Sequence, residues 1–502
     1  MDSYDLIITN GIVVTSSDIA NYDIAIKYGK IALLAPSGSL AKAKTKKIID
    51  AEGGYVMPGG VDCHVHLQEP SLFGKGKTAD TYESGSRSAI AGGTTTIVTF
   101  APQEKSDTSL LSALKATHAK ASGTCYSDYS FHLLISNPTP KALSEFPTLR
   151  EEGISSLKIY MTYDALQLRD NQILDVLLAA RKNNITTMIH AENGDVLNWM
   201  TAQLESRNLF APKYHVTSRP PLLEAEATHR AITLSTLIQT PILLVHVSAP
   251  DAASYIRDAQ TKGLPILAET CPQYLFLTRS DLAKPGFEGA KCVCSPPPRD
   301  GPADHAAIWR GLKNNTFAIL SSDHCPFLYS DANVGKKSSI SPEYPEGRFK
   351  LIPNGCPGVE TRLPLCFPDP SNSGPENKNP LTLTEFVALT STNPSKLYGL
   401  YPTKGALIPG VSDADLTIWY PSSQNFTITS NILHHDVDYT PFEGRRVTNW
   451  PRYTVLRGKV VWDREGGGIV GEKGWGRFVK REECCLEVGM GRAEGEWDAS
   501  AF

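Results

Sequence analysis

Eight short apolar runs alternate with longer stretches of helical periodicity between Pro58 and Leu400. The runs are VDCHVH, TTTIVTF, YSFHLLI, SSLKIYM, TTMIH, PILLVHV, PILAET and FAILSSD. Their β-branched composition indicates strands, whereas a stretch such as DNQILDVLLAARKNN has apolar residues at helical spacing. Eight parallel strands connected by helices close into a (β/α)8 barrel. The sequence therefore predicts an α/β protein with a TIM barrel over residues 58–400.

The two ends of the chain have a different pattern, in which apolar and polar residues alternate in short runs. DLIITNGIVVT and DIAIKYGKIALLA lie near the start, and DADLTIWYP and PRYTVLRGKVVWD lie near the end. This alternation indicates strands with one exposed face. Because the same pattern returns at both ends, residues 1–57 and 401–470 are expected to form one smaller β-sandwich domain. Residues 471–502 are left as a C-terminal arm or tail.

Charge and cysteine usage narrow the class of function. The 49 Lys and Arg residues nearly balance 53 Asp and Glu residues and are dispersed, which argues against nucleic-acid or membrane-surface partners. No apolar run approaches the ~20 residues that span a bilayer, and the start does not resemble a signal peptide. The ten cysteines include no CxxC pair and are typical of reduced thiols. We expect a cytoplasmic protein that acts on a small molecule.

Four histidines and one aspartate stand at the ends of predicted barrel strands. His64 and His66 are two residues apart, so both side chains project to the same face. His190 ends TTMIH, His246 is near the end of PILLVHV, and Asp323 ends FAILSSD. A single strand-end histidine is more often a core or loop residue. Five such groups at the catalytic end of a barrel favour metal ligation, because burying them unpaired would be costly.

The choice between one metal and two depends on Lys158, a lysine inside the apolar strand SSLKIYM. It could be a snorkelling side chain, a Schiff-base nucleophile or a modified ligand. Burial and nearby cations would favour its neutral amine, which can add carbon dioxide to form an anionic carbamate. Both carbamate oxygens could then bridge two metals.

Several motifs together are similar to those of one known family. They are VDCHVH, SSLKIYMTY, MIHAENGD, VHVSAP, CSPP, SSDHCPF and IPNGCPGVETRLPL. Their order resembles that of the cyclic amidohydrolases, in particular the dihydropyrimidinase and hydantoinase group, with the dihydropyrimidinases of fungi as the nearest likeness. The resemblance runs nearly end to end and fades after about Trp462.

The resemblance implies a centre with two zinc ions per subunit. His64, His66 and Asp323 would hold the more buried zinc, His190 and His246 the other, and Lys158, as N6-carboxylysine, would bridge them. Asp323 would also take the proton from the attacking water and deliver it to the departing ring nitrogen.

The resemblance also assigns residues around the substrate. The hydroxyl of Tyr163 would donate to the developing oxyanion, and the main chains of Ser295 and Asn354 would pair with the ring imide. Leu72 and Phe73 are on a loop that could act as a lid. Local sequence alone fits packing, turns and a solvated loop equally well.

The implied activity is the hydrolysis of dihydrouracil and dihydrothymine to N-carbamoyl-β-amino acids in pyrimidine degradation, with 5-substituted hydantoins as further substrates, by a homotetramer. Gln68 stands where dihydroorotases carry an Arg, which argues against dihydroorotate. The sequence KIYMTYDALQL makes allantoin a weaker alternative. A non-enzymatic scaffold is the remaining alternative, although this chain keeps all six metal ligands.

Overall fold

The computed structural model describes residues 3–72, 76–368, 379–420 and 425–489, and its strands form sheets of eight, nine and two strands. In chain order the strands are β1 (Leu6–Val14), β2 (Ile19–Lys27), β3 (Lys30–Pro36), β4 (Ile48–Asp50), β5 (Tyr55–Pro58), β6 (Gly60–Val65), β7 (Thr94–Pro102), β8 (Asp128–Leu134), β9 (Ser156–Tyr160), β10 (Thr186–His190), β11 (Ile242–Leu244), β12 (Ile266–Thr270), β13 (Ile319–Leu320), β14 (Leu416–Trp419), β15 (Phe426–Thr427), β16 (Arg446–Val447), β17 (Tyr453–Leu456), β18 (Lys459–Asp463) and β19 (Gly468–Ile469).

The helices lie almost entirely between the barrel strands. They are α1 (Tyr82–Ala91), α2 (Leu110–Ala121), α3 (Pro140–Ser144), α4 (Phe146–Glu151), α5 (Asp170–Lys182), α6 (Gly194–Glu205), α7 (Tyr214–Thr217), α8 (Pro221–Ile238), α9 (Pro250–Thr261), α10 (Gln273–Phe276), α11 (Arg279–Leu282), α12 (Pro302–Lys313), α13 (Arg362–Cys366), α14 (Leu383–Val387) and α15 (Asn393–Leu397). None of the helices in the described ranges is both long and apolar enough to cross a membrane.

Strands β6 to β13 form the predicted parallel barrel, with each strand beside the next one in the chain. All eight predicted runs contain a barrel strand, so the predicted fold class is confirmed. Backbone hydrogen bonds connect the first barrel strand, β6, to the segment after the last, β13. The His66 amide donates to the His324 carbonyl over 2.7 Å, and the His324 amide donates to the His64 carbonyl over 3.2 Å. The metal-ligand candidates of β6 are thereby tied to the segment that carries Asp323.

The barrel interior is filled by inward-facing apolar side chains, which include Val61, Phe100, Met188, Leu243 and Leu267. A separate and larger apolar cluster lies mainly between the strands and the surrounding helices. Such filling makes the barrel a packed core and leaves its carboxyl end free for a site.

Strands from both ends of the chain join one mixed sheet, as the sequence predicts. Its order is β19-β18-β17-β14-β5-β1-β2-β3, and β4 pairs with β1. Strand β5 links the two ends, because it pairs in parallel with β1 and antiparallel with β14. The predicted division at residues 57, 400 and 470 stays a prediction.

The described part of the C-terminal segment lies against the amino end of the barrel, opposite the metal-ligand candidates. Val479, Leu486 and Val488 pack against the interior apolar cluster. Arg481 is 2% exposed. Its guanidinium donates to the hydroxyls of Ser130 and Ser156 at the starts of β8 and β9. The segment therefore closes this end of the barrel.

Replacing Arg481 with Ala should lower the free energy of unfolding by about 3 kcal/mol, because buried hydroxyls and a carbonyl lose their donor. Denaturant unfolding would measure the change. The matched control is Arg477→Ala, whose side chain is 58% exposed in its ion pair with Asp413. It should change stability by at most about 1 kcal/mol. Equal losses in the two variants would contradict the assigned function of Arg481 in stability.

Candidate active site

A cavity of about 270 Å³ opens at the carboxyl ends of the barrel strands. Five of the six sequence-predicted ligands line it, namely His64, His66, His190, His246 and Asp323. Its volume is small for a ligand pocket and suits a single ring with a modest substituent.

The tightest group in the cavity consists of His64, His66 and Asp323, whose ligand atoms lie within 4.8 Å of one another. Asp323 Oδ1 lies 3.3 Å from His64 Nε2 and 3.5 Å from His66 Nε2. Two imidazoles and a carboxylate at this spacing form a candidate zinc site.

Lys158, His190 and His246 extend this group. Lys158 is completely buried, and its Nζ lies 3.5 Å from His64 Nε2. The His246 ring centroid is 5.4 Å from that of His64 and 4.5 Å from that of His190. The fold therefore brings all six sequence-predicted residues to one place.

Three buried carboxylates orient the histidines. His64 Nδ1 donates to Glu269 over 2.6 Å, and His66 Nδ1 donates to Glu69 over 2.9 Å. His190 Nε2 donates to Glu192 over 2.8 Å. Each pairing leaves the other ring nitrogen free to accept a metal, and partners of this kind hold metal-ligating imidazoles in place.

These three carboxylates are not among the residues predicted from the sequence. Glu69 follows His66 in HVHLQEP, and Glu192 follows His190 in MIHAEN. Glu269 stands at the end of the apolar run PILAET and is fully buried. The signal that revealed Lys158, an ionisable residue in an apolar strand, would have found Glu269 as well.

Burial and neighbouring charges shift the titration of the site. Burial lowers the pKa of Lys158 to about 8, despite the opposing charge of Glu269. Burial raises the pKa of Glu269 to about 7. Burial alone would raise the pKa of Asp323, but the rings of His64 and His66 outweigh it and hold that pKa below its usual value. A neutral Lys158 amine is therefore within reach near neutral pH.

Three site residues have a backbone conformation that is rare outside glycine. The φ angles are 66° at Tyr163, 40° at His246 and 50° at Asp323. Left-handed conformations at non-glycine residues persist only where the surrounding structure enforces them, and they are concentrated at functional sites. All three of these residues line the cavity.

Tyr163, Ser295 and Asn354 form one hydrogen-bonded group on the cavity wall. Asn354 Nδ2 donates to the Tyr163 hydroxyl over 3.2 Å and to Ser295 Oγ over 2.9 Å. Asn354 Oδ1 is buried and has no hydrogen-bond partner among the described residues. The group thus presents a phenol and an unpaired amide oxygen beside the metal-ligand candidates.

The predicted lid is described only in part. Leu72 lines the cavity and is 40% exposed, whereas Phe73 lies outside the described residues. Leu134, Leu166 and Phe327 add further apolar wall. Gln68 is not among the described residues that line the cavity, and its neighbour Glu69 lines it instead.

Comparisons with known proteins identify the family. The model of the amidohydrolase family matches residues 55–461. The chain belongs to this family. It is 42% identical to the D-hydantoinase of Streptomyces coelicolor over 483 residues, which cover 95% of this chain and 98% of that protein. It is also 42% identical to the D-hydantoinase of Geobacillus stearothermophilus over 478 residues, or 95% and 96% of the two chains.

A solved structure supports the same group. The dihydropyrimidinase from Brevibacillus agri has a TM-score of 0.87 and 38% identity, with 95% of this chain and 98% of that chain covered. This amidohydrolase is therefore an enzyme of the hydantoinase and dihydropyrimidinase type that hydrolyses cyclic amides. The similarity to enzymes over nearly the whole chain, together with the ligand candidates that converge in the cavity, argues against the scaffold alternative.

Replacing His64 with Ala should lower the zinc content and abolish most turnover while the protein stays folded, because His64 is a candidate metal ligand at the cavity and not part of the apolar core. Metal analysis and a thermal melt would check this. His229→Ala on the exposed face of α8 is the control and should keep the wild-type zinc content. Wild-type zinc in His64→Ala would contradict the proposed ligation.

Proposed function

We propose that this enzyme opens 5,6-dihydropyrimidines, dihydrouracil and dihydrothymine, to N-carbamoyl-β-amino acids in pyrimidine degradation, and that it also accepts 5-substituted hydantoins. The observation that carries the proposal is that five ligand candidates line one small cavity beside a phenol and an unpaired amide oxygen, with Lys158 in contact with His64. The similarity to D-hydantoinases and a dihydropyrimidinase supports the hydrolysis of a cyclic amide.

The donor set fits two zinc ions per subunit. His246 Nδ1 is buried and has no hydrogen-bond partner among the described residues, which is costly unless a further partner binds it. His64, His66 and Asp323 would hold one ion, and His190 and His246 the other. When bound, the two ions would make water nucleophilic near neutral pH and polarise the ring carbonyl.

Lys158 is proposed to bridge the ions as N6-carboxylysine. Its neutral amine would attack carbon dioxide, form a C–N bond and release one proton, which leaves an anionic carbamate. The complete burial of Lys158 and its pKa of about 8 favour the neutral amine that this step requires. The carbamate would also offset the repulsion between two cations.

Asp323 is proposed as the proton carrier. Its carboxylate is ionised at neutral pH because its pKa is lowered, so it can accept the proton of the attacking water. It would then deliver this proton to the ring nitrogen as the carbon–nitrogen bond breaks. Tyr163 would donate a hydrogen bond to the oxygen that gains negative charge.

Ser295 and Asn354 are proposed to hold the ring through their main-chain groups. The unpaired Asn354 Oδ1 is a further acceptor at the same wall. Leu72 and Phe73 would cover the ring substituent as a lid. Glu69 lines the cavity, so a negatively charged substituent would meet a carboxylate there.

A substrate panel tests the proposed function. Dihydrouracil and dihydrothymine should be opened, and dihydrouracil should exceed dihydroorotate in kcat/KM by about 100-fold or more, because the buried carboxylate of dihydroorotate would lack a partner. Loss of ultraviolet absorbance follows ring opening. A preference for allantoin would favour the allantoinase alternative, and equal rates on dihydroorotate would overturn the substrate class.

Replacing Lys158 with Ala should remove nearly all turnover and lower zinc occupancy, because two cations would repel each other without the bridging anion. Acetate or propionate, added with zinc, should restore part of the activity by placing two oxygens in the vacated space. Wild-type enzyme with the same acid is the control and should not gain activity.

Two outcomes would contradict the bridging function of Lys158. A Lys158→Ala variant that keeps its zinc and most of its turnover would show that the lysine is only a packed side chain. A covalent adduct trapped by borohydride with substrate, without rescue by any carboxylic acid, would indicate a Schiff base.

Three further proposals follow from the resemblance. A cytoplasmic location agrees with the ten free cysteines. The homotetramer stays a prediction that sedimentation would test. The special likeness to fungal dihydropyrimidinases also stays a prediction, since the relatives named above come from Streptomyces, Geobacillus and Brevibacillus.

A further inference from the structure

Arg219 is a buried cation behind the cavity wall that the proposed mechanism does not use. It lies between α7 and α8 and is 6% exposed. Its main chain is held firmly, because its carbonyl accepts from Arg299 over 2.6 Å, and Arg299 in turn pairs with buried Glu224 over 2.6 Å. A rigid, buried guanidinium can hold several groups in a fixed relation.

One side of the Arg219 guanidinium faces the metal-ligand candidate His190 through Glu192. Arg219 Nε lies 3.7 Å from Glu192 Oε1, and neither atom has a hydrogen-bond partner among the described residues. The other oxygen of Glu192 accepts from His190 Nε2 over 2.8 Å. Arg219 therefore lies beside the carboxylate that orients the His190 ring, and this pairing leaves His190 Nδ1 as the free nitrogen.

The other side of the guanidinium faces the substrate wall through His215. Arg219 Nη1 lies 3.3 Å from His215 Nδ1, and His215 Nε2 lies 2.8 Å from the Cys294 carbonyl. Because a guanidinium can only donate, His215 Nδ1 must accept, and His215 must carry its proton on Nε2. That nitrogen then donates to the Cys294 carbonyl.

The direction of the Cys294 carbonyl determines the direction of the Ser295 amide. Both belong to one planar peptide, in which the C=O and N–H bonds point in opposite directions when the bond is trans. Arg219 thus orients the Cys294–Ser295 peptide through His215. The amide of this peptide belongs to Ser295, whose main chain is proposed to pair with the substrate ring.

We propose that Arg219 is a positioning residue that holds the outer metal ligand and the ring-binding peptide in register through two arms, Glu192–His190 and His215–Cys294. This inference rests on the proposed function for the substrate arm. It predicts that one substitution disturbs metal retention and substrate binding together, although Arg219 is not among the described residues that line the cavity.

Arg219→Met tests both arms in the zinc-loaded enzyme. Zinc release to a chromogenic chelator should become about 10- to 100-fold faster, and KM for the best substrate of the panel should rise about 10-fold, the range that is typical when a group supporting a ligand is lost. The control is Arg230→Met on α8, whose side chain is 33% exposed. It should leave both quantities at wild-type values.

Two partner variants separate the arms. Glu192→Gln should speed zinc release with little change in KM, and His215→Leu should raise KM with little change in zinc release. In double variants, Arg219→Met should add no further zinc release to Glu192→Gln and no further rise in KM to His215→Leu, because each pair acts as one unit. Additive effects would overturn the two-arm arrangement.

Arg219→Lys keeps the positive charge but loses the several N–H donors of the guanidinium. This variant replaces Arg219→Met in the test if the Met variant does not fold. A lysine ammonium should contact Glu192 or His215 but not both. Either zinc release or KM should therefore still change. Wild-type values of both, with only a lower melting temperature, would overturn the proposal. Zinc release needs no substrate, so it tests the metal arm even if the wild-type enzyme opens none of the cyclic amides.

Discussion

The burial of ionisable groups at the carboxyl end of the barrel is the constraint on which the rest of the site depends. Asp323, Lys158 and Glu269 are removed from water, where charged groups are stable, and each must be paired or change its protonation. The structure meets this demand with carboxylate–histidine pairs. Those pairs fix which nitrogen of each ring faces the cavity, so the pairing that satisfies buried charge also prepares the ligands.

The two ends of the barrel meet different requirements. At the carboxyl end, Tyr163, His246 and Asp323 combine a left-handed backbone with a position on the cavity wall, as is typical of functional sites. At the amino end, the C-terminal segment covers the apolar interior and satisfies strand-start hydroxyls through Arg481. Ser156 also contacts His132, which in turn contacts the Cys63 carbonyl, so polar contacts continue from this end to the residue before His64. Function and stability are thus separated along the barrel axis, with a buried polar connection between them.

A second buried network could be mistaken for a metal site. Asp128, Asp413 and Asp415 bring their carboxylates within 4.8 Å of one another. Lys404 Nζ lies 2.6 to 3.0 Å from all three, and Arg457, Lys30 and Arg477 add positive charge beside Asp128 and Asp413. The candidate active site differs because its cluster combines imidazole nitrogens, which are common zinc ligands, with the carboxylate of Asp323.

The sequence by itself determined the barrel, the joint sheet from both ends and the six ligand candidates, because strand periodicity and strand-end position are local properties. The position of Lys158 within an apolar run was enough to single it out. Tertiary structure decided the rest. Glu269 pairs with His64, which is distant in sequence, and only the fold shows this contact. Glu69 and Arg219 lie near their histidine partners in sequence, but no local pattern shows which ring nitrogen each of them contacts. The same limit applies to Gln68 and Glu69: Gln68 has a left-handed backbone, and Glu69, not Gln68, is among the described residues that line the cavity.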